Sequence, residues 1–303
     1  MTSDMNAEGS RFSDLVERTE LGYFRIKDLP STEELQSYYS AQYYQEGRGS
    51  YETCYTPAEL QNTREKVRLR WELIANRLPT TGRLLDVGCG EGFVLAHGLA
   101  QNWKVRGLDF SSAGVVAQNR ECEPFLRTGD VFDLLEDETA SDVRYDIVWL
   151  QNVLEHVIDP EGLLRTLRNL ISPGGMLVVT VPNDFSRLQM QALDTGKLSK
   201  AFWISPPDHL SYFTAPTLRA IGSATGWECD ELIGDFPVDW YLFNENSNYI
   251  EEPSKGKAAH FSRIELENLI LENTLEDKRA FFTGLARVGM GRDLTAFFSP
   301  TKS

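Results

Sequence analysis

The stretch LLDVGCGEGF, residues 84–93, constrains the fold more than any other part of the chain. An apolar run ends at Asp86, and glycines then occupy alternate positions, Gly88, Gly90 and Gly92. Removing Cβ three times in five residues opens backbone angles that other residues resist and lets another molecule lie against the main chain. A strand, a G-x-G-x-G turn and a helix starting near Gly92 place that molecule at the carboxyl end of the first strand, where open parallel sheets bind ligands. The alternative is a tight strand-to-helix turn without a ligand.

From Arg83 onward, short apolar runs alternate with helical stretches, the pattern of a parallel sheet with crossover helices. Strands are predicted at 83–87, 104–109, 124–128, 145–151 and 175–182, and helices at 92–101, 111–119 and 160–171. Ser172-Pro173-Gly174-Gly175 reads as the stop of the last of these helices. A further helix is predicted at 214–227 with Thr214 as N-cap, then a strand at 227–234. The last apolar run, DLTAFFS at 293–299, pairs with 227–234 if residues 235–290 are an insertion containing a helix from about 262 to 289. Upstream, the spacing of Leu60, Val67, Trp71, Ile74 and Leu78 predicts an amphipathic helix over 57–78. A helix-start signal at Pro30-Ser31 precedes a segment crowded with Tyr38, Tyr39, Tyr43, Tyr44, Tyr51 and Tyr55. The resulting division is an N-terminal extension and lid at 1–56, a core at 57–234, a helical cap or dimer surface at 235–290, and a last core strand and tail at 291–303.

Acids stand at successive strand ends. Asp109 closes the second strand, 23 residues beyond Asp86, where a carboxylate can take both ribose hydroxyls of an adenosine. Asp130 follows the third strand and can accept from an adenine amino group, with Phe110 and Val131 sandwiching the ring. A dinucleotide fits less well. Its fingerprint is G-x-G-x-x-G, and an extra carboxylate beside a pyrophosphate is unfavourable, whereas beside a cation it is favourable. The ligand expected is therefore an adenosine with a cationic, phosphate-free tail, as in S-adenosylmethionine; a dehydrogenase is the disfavoured reading.

Taken together, LLDVGCGEG, GLDFS, GDVFD, YDIVWLQNVLEHVIDP and LISPGGMLVVTVPN resemble the class I S-adenosylmethionine-dependent methyltransferases. The resemblance covers about residues 57–234 and 293–299. It implies an α/β, doubly wound, mostly parallel seven-stranded sheet of Rossmann-like form whose last strand is antiparallel. It also implies that Asp86, Gly88, Cys89, Gly90, Gly92, Asp109, Phe110, Asp130, Val131 and Gln151 hold the cofactor. The LEH and HL-x-x-F elements are similar to those of ubiquinone-pathway and sugar methyltransferases. The family resemblance implies that the methyl group sits near His156, after the fourth strand, and that the loop after the fifth strand, which carries His209, builds the acceptor pocket.

A hydroxyl acceptor needs a proton acceptor, and four histidines are present, at 97, 156, 209 and 260. His97 reads as structural. His209 is the favoured general base, His156 the second candidate, and a plain capping or loop-fixing role is the alternative for both. Asn152, Tyr43, Tyr44 and Tyr212 are the expected acceptor contacts. Arg64, Arg68, Lys197 and Lys200 would contact a phosphate if the acceptor is nucleotide-linked; otherwise they are solvated surface. The favoured acceptor is a hydroxyl of a saccharide or sugar nucleotide, as in polysaccharide biosynthesis. A quinone precursor, another natural product or a protein is the rival acceptor, and a regulatory protein that binds the cofactor without catalysis is the rival class.

The net charge of −15 repels polyanions and argues against general nucleic-acid binding. The cysteines at 54, 89, 122 and 229 show no metal-ligand spacing, so no metal is expected, nor the N-terminal zinc cluster of sugar C-methylating members. No apolar run reaches bilayer length and the first residues lack a signal-peptide pattern, so a cytoplasmic monomer or homodimer is expected.

Overall fold

The computed structural model describes residues 11–38 and 55–301. Its main sheet has seven strands, in the spatial order 126–128, 104–109, 83–87, 145–151, 171–182, 293–300 and 227–234. These are β3 (Arg83–Val87), β4 (Lys104–Asp109), β5 (Leu126–Thr128), β6 (Tyr145–Gln151), β7 (Ile171–Pro182), β9 (Trp227–Gly234) and β10 (Asp293–Pro300). The pairs from β5 through β7 are parallel, and β10 runs antiparallel to both β7 and β9. The hairpin-like return of 293–299 against 227–234 is as expected, with 235–290 inserted between them.

Both faces of the sheet are covered, which is why its strands read as continuous apolar runs. Alternate residues divide between two cores. Leu85, Val87, Val148, Leu150 and Val179 pack with α5 (Val131–Ala140), α6 (Pro160–Leu170) and α8 (Ala215–Ala224). Leu84, Ile147, Trp149 and Val178 pack with α2 (Pro57–Ala75), α3 (Phe93–Ala100) and α10 (Leu275–Val288). No helix among the described residues is long and apolar enough to cross a membrane.

Several elements differ from expectation. The predicted stop at 172–175 lies inside β7, because α6 runs directly into that strand. The register passes from Tyr145↔Ile171 to Ile147↔Met176, so extra residues of β7 loop out at the sheet end without ending the strand. The predicted helix at 262–289 is two helices, α9 (Gly256–Leu271) and α10, separated where Thr274 caps α10 by accepting from Asp277 N. Residues 131–140, to which the sequence reading assigns no element, form α5. Only 126–128 of the third predicted strand is extended, after a 3-10 turn at Arg120–Phe125.

A second, three-stranded sheet was not anticipated. β1 (Val16–Arg18) and β2 (Phe24–Ile26), ahead of α1 (Thr32–Tyr38) in the chain, pair antiparallel with each other, and β8 (Ser211–Tyr212), after β7, pairs antiparallel with β2. With α7 (Arg187–Asp194) and Trp203 they enclose a third apolar core. The remaining core helix, α4 (Ala113–Gln118), follows β4. Of the lid tyrosines, Tyr39, Tyr43, Tyr44 and Tyr51 lie outside the described residues, so the acceptor contacts expected of Tyr43 and Tyr44 have no described position.

Candidate active site

The glycine turn joins β3 to α3 and is fastened to β4. Gly88 N and Cys89 N donate to Leu108 O at 2.8 and 3.1 Å. Gly90 N donates to Asp109 Oδ2 at 2.8 Å, and Ser111 N to Asp109 Oδ1 at 3.0 Å. Gly88 has φ +69°, and a Cβ on it would stand 2.4 Å from Val153 Cγ2. The turn therefore needs glycine for both angle and space.

Above the turn lies a cleft of about 480 Å³, lined by Asp86, Gly88, Cys89, Gly90, Gln151 and Asn152 among others. Its size is that of a small-ligand site. Asp86 is 2% exposed, and burial followed by the neighbouring Asp109 holds its carboxyl well above the usual range. Among the described residues no ion pair engages Asp86, so a cationic ligand would relieve the cost of charging it. The donor set therefore suits a sulfonium or ammonium group. Gln151 Oε1 accepts from Arg70 Nη1 at 2.9 Å, and Asn152, at φ +53°, donates its N–H to Thr180 O. Tyr55, one of the tyrosines expected to form a lid, lines the same cleft and donates to Glu91 at 2.9 Å.

The other expected cofactor residues sit beside the cleft or behind it. Gly92 caps α3 in the left-handed region. Asp109 is buried beneath the turn, and its carboxylate takes two backbone amides there, which uses part of the capacity expected for ribose hydroxyls. Asp130 caps α5, accepting from Phe132 N at 2.9 Å and Asp133 N at 3.4 Å. Phe110 is exposed at the end of β4, and Val131 is half-buried against the core.

His156 and His209 meet, but neither lines the cleft. Their rings lie 5.0 Å apart, edge to face. His156 Nδ1 is 2.6 Å from Asp208 O, and burial, with His209 beside it, pushes its pKa down to about 4. His209 Nδ1 lies 3.4 Å from Asp184 Oδ2, within ion-pair range but without hydrogen-bond geometry. Burial alone would lower His209; the Asp184, Glu155 and Asp208 carboxylates outweigh it and raise the pKa. Asp184 also accepts from Arg292 at 2.9 Å and from Gln189 at 3.3 Å. Glu155, 1% exposed, has no hydrogen bond to its carboxylate, and burial lifts its pKa to about 8. One ligand-type atom from each of Glu155, His156 and His209 falls within 4.8 Å of the others, a proximity that positions 155, 156 and 209 gave no metal spacing to announce. Tyr212, expected at the acceptor, is 2% exposed in β8 and donates to His209 O.

A second cavity of about 440 Å³ adjoins the first. Asp235, Phe236, Val238, Tyr249 and Ala259 line it, and the two cavities share Lys66, His260, Arg263 and Asp293. Sequence reasoning named His260 only as one of the four histidines, without a role, and named none of the other three, because the four come from α2, α9 and the start of β10. The basic residues it did name stand elsewhere: Arg64, Lys197 and Lys200 are exposed, and Arg68 pairs with Glu65 and Glu72 on its own helix.

A family model described as a methyltransferase domain matches residues 60–232. A ubiquinone biosynthesis O-methyltransferase from Caulobacter sp. (strain K31) is 31% identical over 162 residues, 51% of this chain, and the chain spans 63% of that relative's length, a little under two thirds. The enzyme of the same name from Pasteurella multocida (strain Pm70) is 30% identical over 192 residues, 56% of this chain and 78% of its own. Among solved structures, coclaurine N-methyltransferase bound to N-methylheliamine and SAH superposes with a TM-score of 0.51 at 14% identity, covering 100% of this chain and 89% of that one; this likeness concerns the fold alone. With a glycine turn and buried carboxylates suited to a cationic ligand, and a family match over more than half its length, the chain belongs to the methyltransferase domain family.

Proposed function

We propose that the chain methylates a hydroxyl of a small ring-shaped acceptor, of the hydroxylated aromatic kind that a quinone precursor represents. The observation that carries this reading is the second cavity sharing a wall with the cofactor cleft. Phe236, Val238, Tyr249 and Ala259 offer the apolar walls a ring needs, and Lys66, Arg263 and Arg292 offer polar ends. The names of the two O-methyltransferase relatives favour oxygen as the acceptor atom and this acceptor class over the saccharide expected from sequence.

S-adenosylmethionine supplies a methyl group already activated on a sulfonium. The chain's own task is to bind, orient and keep water out. In this reading Asp86 and the glycine turn hold the cationic end of the cofactor, and Gln151, fixed by Arg70, and Asn152 line the side nearest the acceptor. Asp109 holds the turn in shape, and Phe110, Asp130 and Val131 border the adenine side. The insertion at 235–290 acts as the acceptor's cap. His209, His156 and Asp184 brace the adjoining loop.

The test is transfer of a labelled methyl group to 3,4-dihydroxybenzoate, to methyl glucoside and to a uridine diphosphate sugar, beside calorimetry with S-adenosylhomocysteine. Transfer to the dihydroxybenzoate alone supports the reading, and transfer to the sugars overturns the acceptor class. Tight cofactor-product binding with no transfer to any of the three would favour a regulatory role.

A further inference from the structure

His260 stands on the wall shared by the two cavities, and it is held there by a carboxylate from a different part of the chain. Its Nε2 lies 2.6 Å from Glu59 Oε1, 201 positions away in sequence. Glu59 is 5% exposed on the first turn of α2, and its other oxygen, Oε2, accepts from Thr56 N at 2.8 Å and Thr56 Oγ1 at 2.6 Å. The capping box therefore fixes the carboxylate and leaves Oε1 for the imidazole. Burial alone would raise the Glu59 pKa, but the Thr56 bonds and His260 outweigh it and keep the group charged. A ring that donates Nε2–H to a fixed carboxylate is held in the tautomer whose Nδ1 accepts a proton. The His260 side chain is 39% exposed, open enough to meet a ligand.

Anchoring α9 is a task already filled by others. Asn62 Nδ2 donates to Glu267 Oε2 and Asn268 Oδ1, both at 3.1 Å, and Asn268 Nδ2 donates to Ala58 O at 3.0 Å.

We propose that His260, oriented by Glu59, is the general base of the transfer, and that the insertion thereby completes the catalytic centre. The inference rests on the hydroxyl-acceptor reading above. In the step, the acceptor oxygen bonds to the methyl carbon while the carbon–sulfur bond breaks and leaves its electron pair on sulfur as a neutral thioether. The hydroxyl proton passes to His260 Nδ1, and Glu59 stabilises the imidazolium that results. Glu59 on α2 contacts the ring, and the charged groups that line the two cavities with His260 include Lys66 on α2, Arg263 on α9, Asp235 after β9, and Arg292 and Asp293 at the start of β10.

The experiment compares the full chain with His260→Ala, Glu59→Gln and Asp293→Asn, using 3,4-dihydroxybenzoate as the probe acceptor. For His260→Ala, kcat should fall by about 10²–10⁴-fold with the cofactor KM within about threefold, and added imidazole should restore part of the rate. Glu59→Gln should lower kcat without changing cofactor-product binding by calorimetry. Independently of turnover, nitrogen NMR of the histidine rings with S-adenosylhomocysteine bound should find His260 protonated on Nε2, and this preference should weaken in Glu59→Gln. A His260→Ala rate within threefold of the parent, a larger loss in Asp293→Asn alone, or a proton on Nδ1 overturns the proposal. If the intact chain transfers nothing to the probe, the acceptor reading fails, and the ring measurement decides this inference by itself.

Discussion

Gly88 and Glu155 each carry a testable cost. An alanine at position 88 must adopt φ +69° and place its Cβ 2.4 Å from Val153 Cγ2, so the turn has to move. Gly88→Ala should weaken S-adenosylhomocysteine binding at least about tenfold by calorimetry, with a lowered Tm; unchanged binding would show that the turn does not cradle the ligand. Glu155 has the opposite logic. Its folded pKa is about 8, above the unfolded carboxylate value, so the folded state binds the extra proton across the interval between them. Stability from this group therefore falls as pH rises from about 4.5 to 8. Glu155→Gln should gain Tm relative to the parent as pH goes from 5 to 8 in thermal melts, and a constant difference would refute the shift. At this scale the sequence was informative where the backbone itself was special. Gly88 announces its geometry by composition, but nothing in the letters LEH says that the Glu155 carboxylate is buried without a hydrogen bond.

Among the elements, α8 and β10 meet with no space to spare. A Cβ on Gly222 would lie 2.4 Å from Phe298 Cε1, so Gly222→Ala should cost about 1–3 kcal/mol by overpacking even though alanine is the better helix former. Denaturant melts check it, and a stabilised variant would mean that the helix can shift. The elements that were legible are those with clear apolar patterns: α2, α6 and the mostly buried strands β3, β4, β6, β7 and β10. Those that were not have local reasons. α5 begins with Asp130 capping its own helix, whereas its place after the third strand reads as a ligand contact, which hides the N-cap signal. The glycines at 174 and 175 read as a stop because they terminate helices elsewhere; here they let β7 loop out while α6 passes directly into it. β1, β2 and β8 are two or three residues long, too short for any period to register.

Across the whole molecule, one ionic junction ties α2 to the end of β9 and to the insertion. Asp235 pairs with Lys66 and lies 3.3 Å from Arg70, and Lys66 reaches Glu267 at 3.8 Å. Burial alone would raise the Asp235 pKa, but Lys66 and Arg70 outweigh it and hold the group down at about 2. The stabilisation is present above the unfolded carboxylate pKa near 4 and is lost as pH falls through about 2. Asp235→Asn should lower stability at neutral pH by about 3–5 kcal/mol, since it leaves two buried cations short of a partner, and the deficit should shrink in acid. A loss under 1 kcal/mol at pH 7 in urea melts would show the junction to be incidental. The sequence by itself determined the α/β sheet, its antiparallel return, the glycine turn and the carboxylates beside it that suit a cationic ligand. Each is encoded locally, in apolar runs, turn residues and carboxylates at strand ends. Only the tertiary structure decided the second cavity, the cluster of Glu155, His156 and His209, and the pairing of His260 with Glu59. Those depend on side chains that are far apart in the chain, and contacts across such distances follow from packing and leave no period to read.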